Sequence, residues 1–399
     1  MRNIYICTNE FPTEDNFDGG VGNHFYRYAK ILKKNSFNPV VITSSKYNGI
    51  INYKGIKVVR VKVFNLIVRI VLKLTQKYGF KGEIYARPIF ALYQSFILNK
   101  KINKILKNDE VIIYSSYQYL NFFQKKHFKS LVVIWSLQKE WNFVNPKSIL
   151  QKIDTYFERK SFESARSIIS VSRLLFKKLD KNLKKKTHVI FPVYDKKKIK
   201  YKTFKKIKKL FDINYEYILY FGSLIERKGI FLLSKVIKKI VKKHKDIDFI
   251  FVGSDSKQNF KSAKKRIINQ NYDIQNKIHF LPVLRHEFLH PIIKNAKITV
   301  MPTYIDTSPS ASLEAMSNGG IILGSNKSSL DEYIINNKNG FLFENGKEKS
   351  LEKKILKILK ISKFKISRIR KQTQEDLRIN FSSKNIKNFL KVIKNLDEK

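Results

Sequence analysis

The stretch Tyr304-Ile-Asp306-Thr-Ser308-Pro309-Ser310-Ala311-Ser-Leu-Glu314-Ala-Met-Ser-Asn-Gly319-Gly320-Ile-Ile-Leu-Gly324-Ser325 decides the reading of this chain. An apolar run, Ile298-Thr-Val-Met301, precedes it, and its own Ile321-Ile-Leu323 is a second. Strand, loop, helix and strand in that order describe one step of a parallel α/β sheet. Ser308 before Pro309 predicts a helix N-cap with proline at the first helical position. Such a start turns backbone N–H groups and the positive dipole end outward, which suits a phosphate. The 3.6-residue period places Glu314 about two turns into that helix. There its carboxylate can accept hydrogen bonds from sugar hydroxyls, while Asp306 approaches from the preceding loop.

Working outward, the same alternation runs through the whole chain. Apolar strand candidates in the first half are Asn3–Cys7, Pro39–Thr43, Lys57–Val61, Glu110–Tyr114, Leu131–Trp135, Ser167–Val171 and His188–Pro192. In the second half they are Tyr217–Phe221, Asp248–Val252, Lys277–Leu281, Ile298–Met301, Ile321–Leu323 and Gly340–Phe343. Amphipathic segments lie between them. Asn23–Lys34 carries Phe25, Tyr28, Ala29 and Leu32 on one face, and Phe231–Lys243 carries Leu232, Leu233, Val236, Ile237 and Ile240. The Lys-rich stretch Lys196–Lys209 is the linker candidate. The expected class is α/β, with two Rossmann-like parallel-sheet domains facing a cleft. The boundaries are 1–195 and 196–378, followed by a C-terminal helix over 379–399. Ligands in such sheets bind at the carboxyl ends of the strands.

Composition bounds the function. The 399 residues, 43% hydrophobic and 13% aromatic, suffice for two cores and exclude a disordered chain. The single cysteine, Cys7, excludes an internal disulfide and reads as a small core residue. Met-Arg-Asn-Ile-Tyr-Ile enters a strand directly, without the apolar core of a signal peptide, and no uncharged run approaches the roughly 20 residues of a membrane span. The expected location is cytoplasmic. Lys and Arg number 80 against 32 Asp and Glu, a formal charge of +48, which attracts polyanions. Lysine pairs spread over Lys181–Lys186, Lys196–Lys209 and Lys353–Lys365 mark part of this as a composition bias. The remainder points to an anionic membrane on the cytoplasmic face. Zinc-finger spacing, zipper heptads and aromatic-glycine RNA motifs are absent, so nucleic acid is not an expected partner.

Glycine-rich turns stand where strand ends are expected. Asp18-Gly19-Gly20-Val21-Gly22-Asn23 follows the first strand and opens a helix. Tyr220-Phe221-Gly222-Ser223-Leu224-Ile-Glu-Arg227-Lys228-Gly229 does the same in the second half. Lys228 at that helix mouth can meet a diphosphate as a point charge. Together with Glu314-Ala-Met-Ser-Asn-Gly319, these motifs resemble the retaining nucleotide-sugar glycosyltransferases of the GT-B fold, glycosyltransferase family 4. That family carries an acidic-x7-Glu signature and Gly-Arg-Leu-x-x-x-Lys-Gly.

The resemblance spans essentially the whole chain and implies a set of roles. Lys228, with Arg227 and Ser223, would meet the donor diphosphate. Glu314 would hold the donor ribose and Asp306 the transferred sugar, making Lys228, Asp306 and Glu314 the catalytic set. Gly19, Gly20, Gly253, Leu281, Ser308, Ser310 and Ala311 would line the donor pocket. Gly22, Ser136 and Gln138 would lie on the acceptor side. Phe381-Ser-Ser-Lys-Asn-Ile-Lys-Asn-Phe-Leu resembles the terminal helix that returns to the first domain.

Four departures stand out: Asp306 for the family's Glu, Ile321 for a proline, Ser223 for an Arg, and Ser136 where the family carries a His. Ser136 is a poor base, but retaining transfer can pass the acceptor proton to the leaving diphosphate. Asp246-Ile-Asp248 imitates the metal motif of the other main transferase fold and reads as structural. None of the seven histidines shows ligand spacing with a carboxylate or with Cys7. His286 and His290 lack the intervening Glu of a zincin. No metal and no cofactor are expected.

The apolar, basic-edged region Phe64–Lys107 reads either as helices covering the first sheet or as a face for an anionic membrane presenting a lipid-linked acceptor. The reading is therefore a retaining hexosyltransferase acting on a glycan or lipid-linked acceptor from a nucleoside-diphosphate sugar. The rivals are a sugar-nucleotide epimerase of the same fold and an inactive polyanion-binding scaffold.

Overall fold

The computed structural model describes residues 2–13, 20–63, 70, 80–107, 109–138, 149–193, 202–255, 257–258, 261–307 and 309–398. The chain divides into two compact units, Met1–Val193 with Lys384–Lys399, and Tyr194–Ser383.

The first unit is built on one sheet. Its strands are β1 (Arg2–Thr8), β2 (Phe37–Ser45), β3 (Gly49–Tyr53), β4 (Ile56–Lys62), β5 (Val111–Ser115), β6 (Lys129–Ile134), β7 (Ser167–Ser170) and β8 (Thr187–Val189). They lie in the order β3-β4-β2-β1-β5-β6-β7-β8, and only β3 with β4 pairs antiparallel. The central strands are buried along their length, as in β5, because helices cover both faces of a parallel sheet. Edge strand β3 escapes the apolar-run criterion because its side chains alternate in exposure, with Ile50 out in solvent. It is tied to β4 by a two-residue turn, Lys54-Gly55, with both residues in the left-handed region (φ +50° and +81°), the hairpin geometry that matches strand twist.

The helix Gly20–Lys34 buries Phe25, Tyr28, Ala29 and Leu32, the face its periodicity predicts. The last helix, Lys384–Glu398, belongs to this unit although it ends the chain. Phe389 stacks on Tyr28 with ring centroids 4.3 Å apart, and Val392, Ile393 and Leu396 join the same core. Truncating a buried phenylalanine of this kind to alanine costs about 3–5 kcal/mol.

The second unit carries β9 (Glu216–Phe221), β10 (Ile247–Val252), the small hairpin β11 (Lys257–Gln258) and β12 (Lys261–Ser262), β13 (Ile278–Leu281), β14 (Ile298–Met301), β15 (Ile322–Ser325) and β16 (Phe341–Phe343). The main sheet runs β13-β10-β9-β14-β15-β16, parallel throughout. The hairpin is too short to leave an apolar run. The expected linker is only partly irregular: residues 204–209 lie in the helix Phe204–Phe211, which buries Ile207, and residues 196–201 lie outside the described residues.

Strand order reverses once in each sheet. Chain order leaves β1 towards β2 on one side and later returns to its other side at β5. In the second unit it leaves β9 towards β10 and returns at β14. Helices then start on opposite faces, and a crevice opens at the carboxyl ends of those neighbouring strands. Among the described residues, no helix is long and apolar enough to cross a membrane.

Candidate active site

In the second unit, the reversal point is where the chemistry gathers. The loop after β9 ends in the short turn Glu226–Lys228 and Gly229, and the loop after β14 runs through Asp306. The Lys228 Nζ donates to Asp306 Oδ2 in an ion pair with 26% and 13% side-chain exposure. The two loops are also stitched through the backbone. The Arg227 carbonyl accepts from the Tyr304 N–H at 3.0 Å and from the Thr303 hydroxyl at 3.2 Å. Gly229 is required for this approach: it takes φ +72°, and a Cβ there would sit 1.8 Å from the Pro302 carbonyl oxygen. Behind the pair, burial raises the Tyr220 hydroxyl pKa well above its ordinary value, and the nearby Asp306 carboxylate adds to the shift. That hydroxyl therefore stays a donor, and it bonds the Ser223 carbonyl at 2.8 Å.

The neighbouring strand ends complete the floor. Gly253, at the end of β10, has φ +149°, and a Cβ would lie 2.1 Å from the Gly222 carbonyl oxygen. Its N–H bonds the Leu281 carbonyl at 3.2 Å, so Gly222, Gly253 and Leu281 form one continuous edge. Asp306 is held by its backbone, its N–H on the Ser328 carbonyl at 3.2 Å and its carbonyl accepting from the Ser329 hydroxyl.

Three expectations are corrected. The helix after this loop is Ser310–Ser317, with Pro309 rather than Ser308 at the N-cap position; Ser308 lies outside the described residues. Pro309 takes ψ 63°, which is not helical, so the helix starts one residue later. Glu314 is then the fifth helical residue, just over one turn in rather than two. The third correction concerns histidine. The Nε2 atoms of His290 and His286, on the helix His286–Asn295, lie 2.6 Å and 3.3 Å from the same Glu314 oxygen. The i, i+4 spacing was visible in the sequence, but the carboxylate comes from a different helix. Only tertiary packing brings it there.

Asp248 lies near the start of β10. It is buried and bonded to Lys277 at 2.9 Å and His279 at 2.7 Å, while Asp246 is exposed. Ser310 and Ala311 are half-buried at the start of the Glu314 helix, and Ser223 is exposed.

In the first unit, Gly19 lies outside the described residues, and Gly20 is the exposed first residue of its helix. Gly22 is buried, and a Cβ would meet the Glu10 backbone at 3.0 Å, so it lets the loop after β1 close on the helix. The Gly22 N–H bonds the Glu10 carboxylate, whose pKa burial raises. β6 ends at Ile134, one residue before the predicted Trp135, and Ser136 follows half-buried. The Gln138 backbone N–H is capped by the Glu158 carboxylate at 3.0 and 3.1 Å.

Sequence reasoning missed what occupies this unit's reversal point. Asn9, after β1, donates to the Gln118 side-chain oxygen, after β5, at 2.6 Å. Gln118 and Tyr119 have φ +61° and +50°, left-handed values that cost non-glycine residues energy and often mark sites. His24 stacks on Trp135 at 4.7 Å, and burial, aided by the Arg27 charge, lowers its pKa well below the usual value, so the ring is neutral.

Comparison with known proteins bears on the sequence and the fold. The sequence model of the family described as glycosyl transferases group 1 matches residues 201–376. That segment is similar to the group 1 glycosyltransferases. An uncharacterized glycosyltransferase of Methanocaldococcus jannaschii is 24% identical over 207 residues, which span 51% of this chain and 52% of the relative, about half its length. The solved sucrose-phosphate synthase of Thermosynechococcus elongatus superposes with a TM-score of 0.77 at 17% identity, covering 99% of each chain. An Escherichia coli structure titled trehalose-6-phosphate, bound with UDP-2-fluoro glucose, superposes at 0.71 and 11% identity over 100% of this chain and 99% of its own. The two units thus have the GT-B fold.

Proposed function

We propose that this protein is a metal-independent, retaining glycosyltransferase. It would move a hexose-type residue from a nucleoside-diphosphate sugar to a hydroxyl on a growing cell-surface glycan. The observation that carries the reading is the Lys228–Asp306 pair at the reversal point of the domain that matches the glycosyltransferase family. An ammonium has three donors. Asp306 takes one, leaving two for oxygens of a departing diphosphate, so charge forming on the leaving group meets a cation already in position. Arg227 and the helix starts at Gly229 and Pro309 add positive potential.

In the step itself, the bond between the sugar carbon and the phosphate oxygen breaks and a bond to the acceptor oxygen forms on the same face. The acceptor proton passes to the leaving phosphate oxygen. Asp306 holds the transferred sugar, Glu314 the donor ribose, and Gly19 and Gly20 admit the phosphates and acceptor. The acceptor is lipid-linked and met at the inner membrane face. Exposed Phe96 and Phe123, with ring centroids 5.7 Å apart, and exposed Lys125 and Lys126 two and three residues after Phe123 support this, because apolar anchors with nearby lysines suit anionic lipid. Most of the stretch 64–79 lies outside the described residues.

Isothermal titration with UDP, GDP and ADP tests the donor site: one nucleotide should bind, and Glu314→Gln should weaken it. Absence of binding favours the scaffold alternative. A screen of sugar nucleotides for slow hydrolysis identifies the donor, whereas interconversion of the sugar on an intact nucleotide would mark an epimerase. Sedimentation with anionic vesicles tests the acceptor side. Binding should be strong at low salt and fall as the Debye length shortens to about 10 Å at 0.1 M. A Lys125→Ala/Lys126→Ala/Phe123→Ala variant should be released more than one lacking three lysines of Lys353–Lys365.

A further inference from the structure

We infer that His286, His290 and Glu314 form a binding site for one divalent transition ion such as Zn²⁺, and that this ion and the donor nucleotide exclude one another. The ligand atoms of the three side chains all lie within 4.8 Å of one another. The two imidazoles stand one turn apart on one helix face, with ring centroids 5.1 Å apart. Both aim Nε2 at Oε1 of Glu314, at 2.6 Å and 3.3 Å. Around Zn²⁺, with bonds of about 2.0–2.1 Å, tetrahedral ligand atoms are spaced roughly 3.3 Å apart. A small rotation of the Glu314 side chain therefore opens the cluster to an ion.

Two imidazole nitrogens and one carboxylate oxygen are a donor set for Zn²⁺, Co²⁺ or Cu²⁺ rather than for Mg²⁺ or Ca²⁺, which take oxygen. Supports for the ligands exist already. His290 is buried and cannot swing away, and the Glu314 carbonyl is anchored by the Ser317 hydroxyl at 3.0 Å and the Asn318 amide at 2.8 Å. His286, with its side chain 43% exposed, leaves that side of the cluster open to solvent.

The exclusion rests on the proposed function. If Glu314 holds the donor ribose, an ion on the same oxygen withdraws that contact, so the metal acts as an inhibitor rather than as a cofactor. This is compatible with metal-independent transfer.

The test is a titration of the full-length protein with Co²⁺, followed by its visible absorption, with displacement by Zn²⁺. One ion per chain is expected. His286→Ala, at a half-buried position, should lower affinity about tenfold or more, and His290→Gln should do so independently. UDP, GDP and ADP are then titrated with and without one equivalent of Zn²⁺. The bound nucleotide should weaken about tenfold in the wild type and stay unchanged in His286→Ala, which controls for Zn²⁺ on the phosphates. No saturable Co²⁺ signal, or equal affinity in wild type and both variants, overturns the site. Simultaneous binding without mutual loss overturns the exclusion. If Co²⁺ binds but no nucleotide does under any condition, the metal site stands and the functional reading fails together with the exclusion.

Discussion

The two units share a single reversal of strand order but present different chemistry at that place. Each sheet reverses its strand order once, and in each a side chain after the unit's first strand meets one after the neighbouring strand across the reversal. In the second unit that meeting is an ion pair, Lys228 with Asp306. In the first it is a neutral amide pair, Asn9 with Gln118. A cation at such a crevice serves a diphosphate, because it meets negative charge that grows as the bond breaks. An amide pair carries no net charge and offers donors and acceptors for hydroxyls. Each sheet supplies one crevice, and on the proposed reading the charged one takes the donor and the neutral one the acceptor.

This contrast is open to direct attack. The largest effect is expected for Lys228→Met, which removes the cation and leaves Asp306 without its partner. The kcat/KM for the nucleotide sugar should fall about 10³-fold, roughly 4 kcal/mol. A loss of only a few-fold, with folding intact by circular dichroism, would remove the charged crevice from the chemistry. Next comes Glu314→Gln, which keeps the size and weakens the acceptor for ribose. Transfer should drop about 10²-fold, near 3 kcal/mol, with nucleotide affinity falling in the same titration.

Gln118→Asn sharpens the other side of the comparison. Asparagine tolerates the left-handed backbone there but is too short to reach Asn9. Acceptor KM should rise about tenfold while donor hydrolysis without acceptor is unchanged. A fall in donor hydrolysis would erase the division of labour. The smallest effect is expected from EDTA, which should leave turnover within about twofold, since Lys228 and helix termini do what a metal does elsewhere. Abolition by EDTA and rescue by Mn²⁺ or Mg²⁺ would break that assignment.

Much of this was legible in the chain because it is local. Fully buried parallel strands leave continuous apolar runs, so the central strands of both sheets could be read, whereas β3 could not, with only one half of its residues turned inward. Lys228 was legible because the turn that carries it needs a glycine next to it. Ser308 and Pro309 misled by one residue, since cap preferences describe a typical helix start and this loop enters at a non-helical ψ. His24, Asn9 and Gln118 left no local signal.

The sequence by itself determined the two parallel sheets, the glycines at their strand ends and the acidic pair eight residues apart, because periodicity, backbone freedom and capping act over a few residues. Tertiary structure alone decided which side chains meet. It joined Lys228 to Asp306 across 78 positions, set His286 and His290 on Glu314, and returned Phe389 to Tyr28 in the first unit's core. Such pairings depend on where a parallel sheet reverses its strand order and on which helices then pack together, and no short window of sequence carries that information.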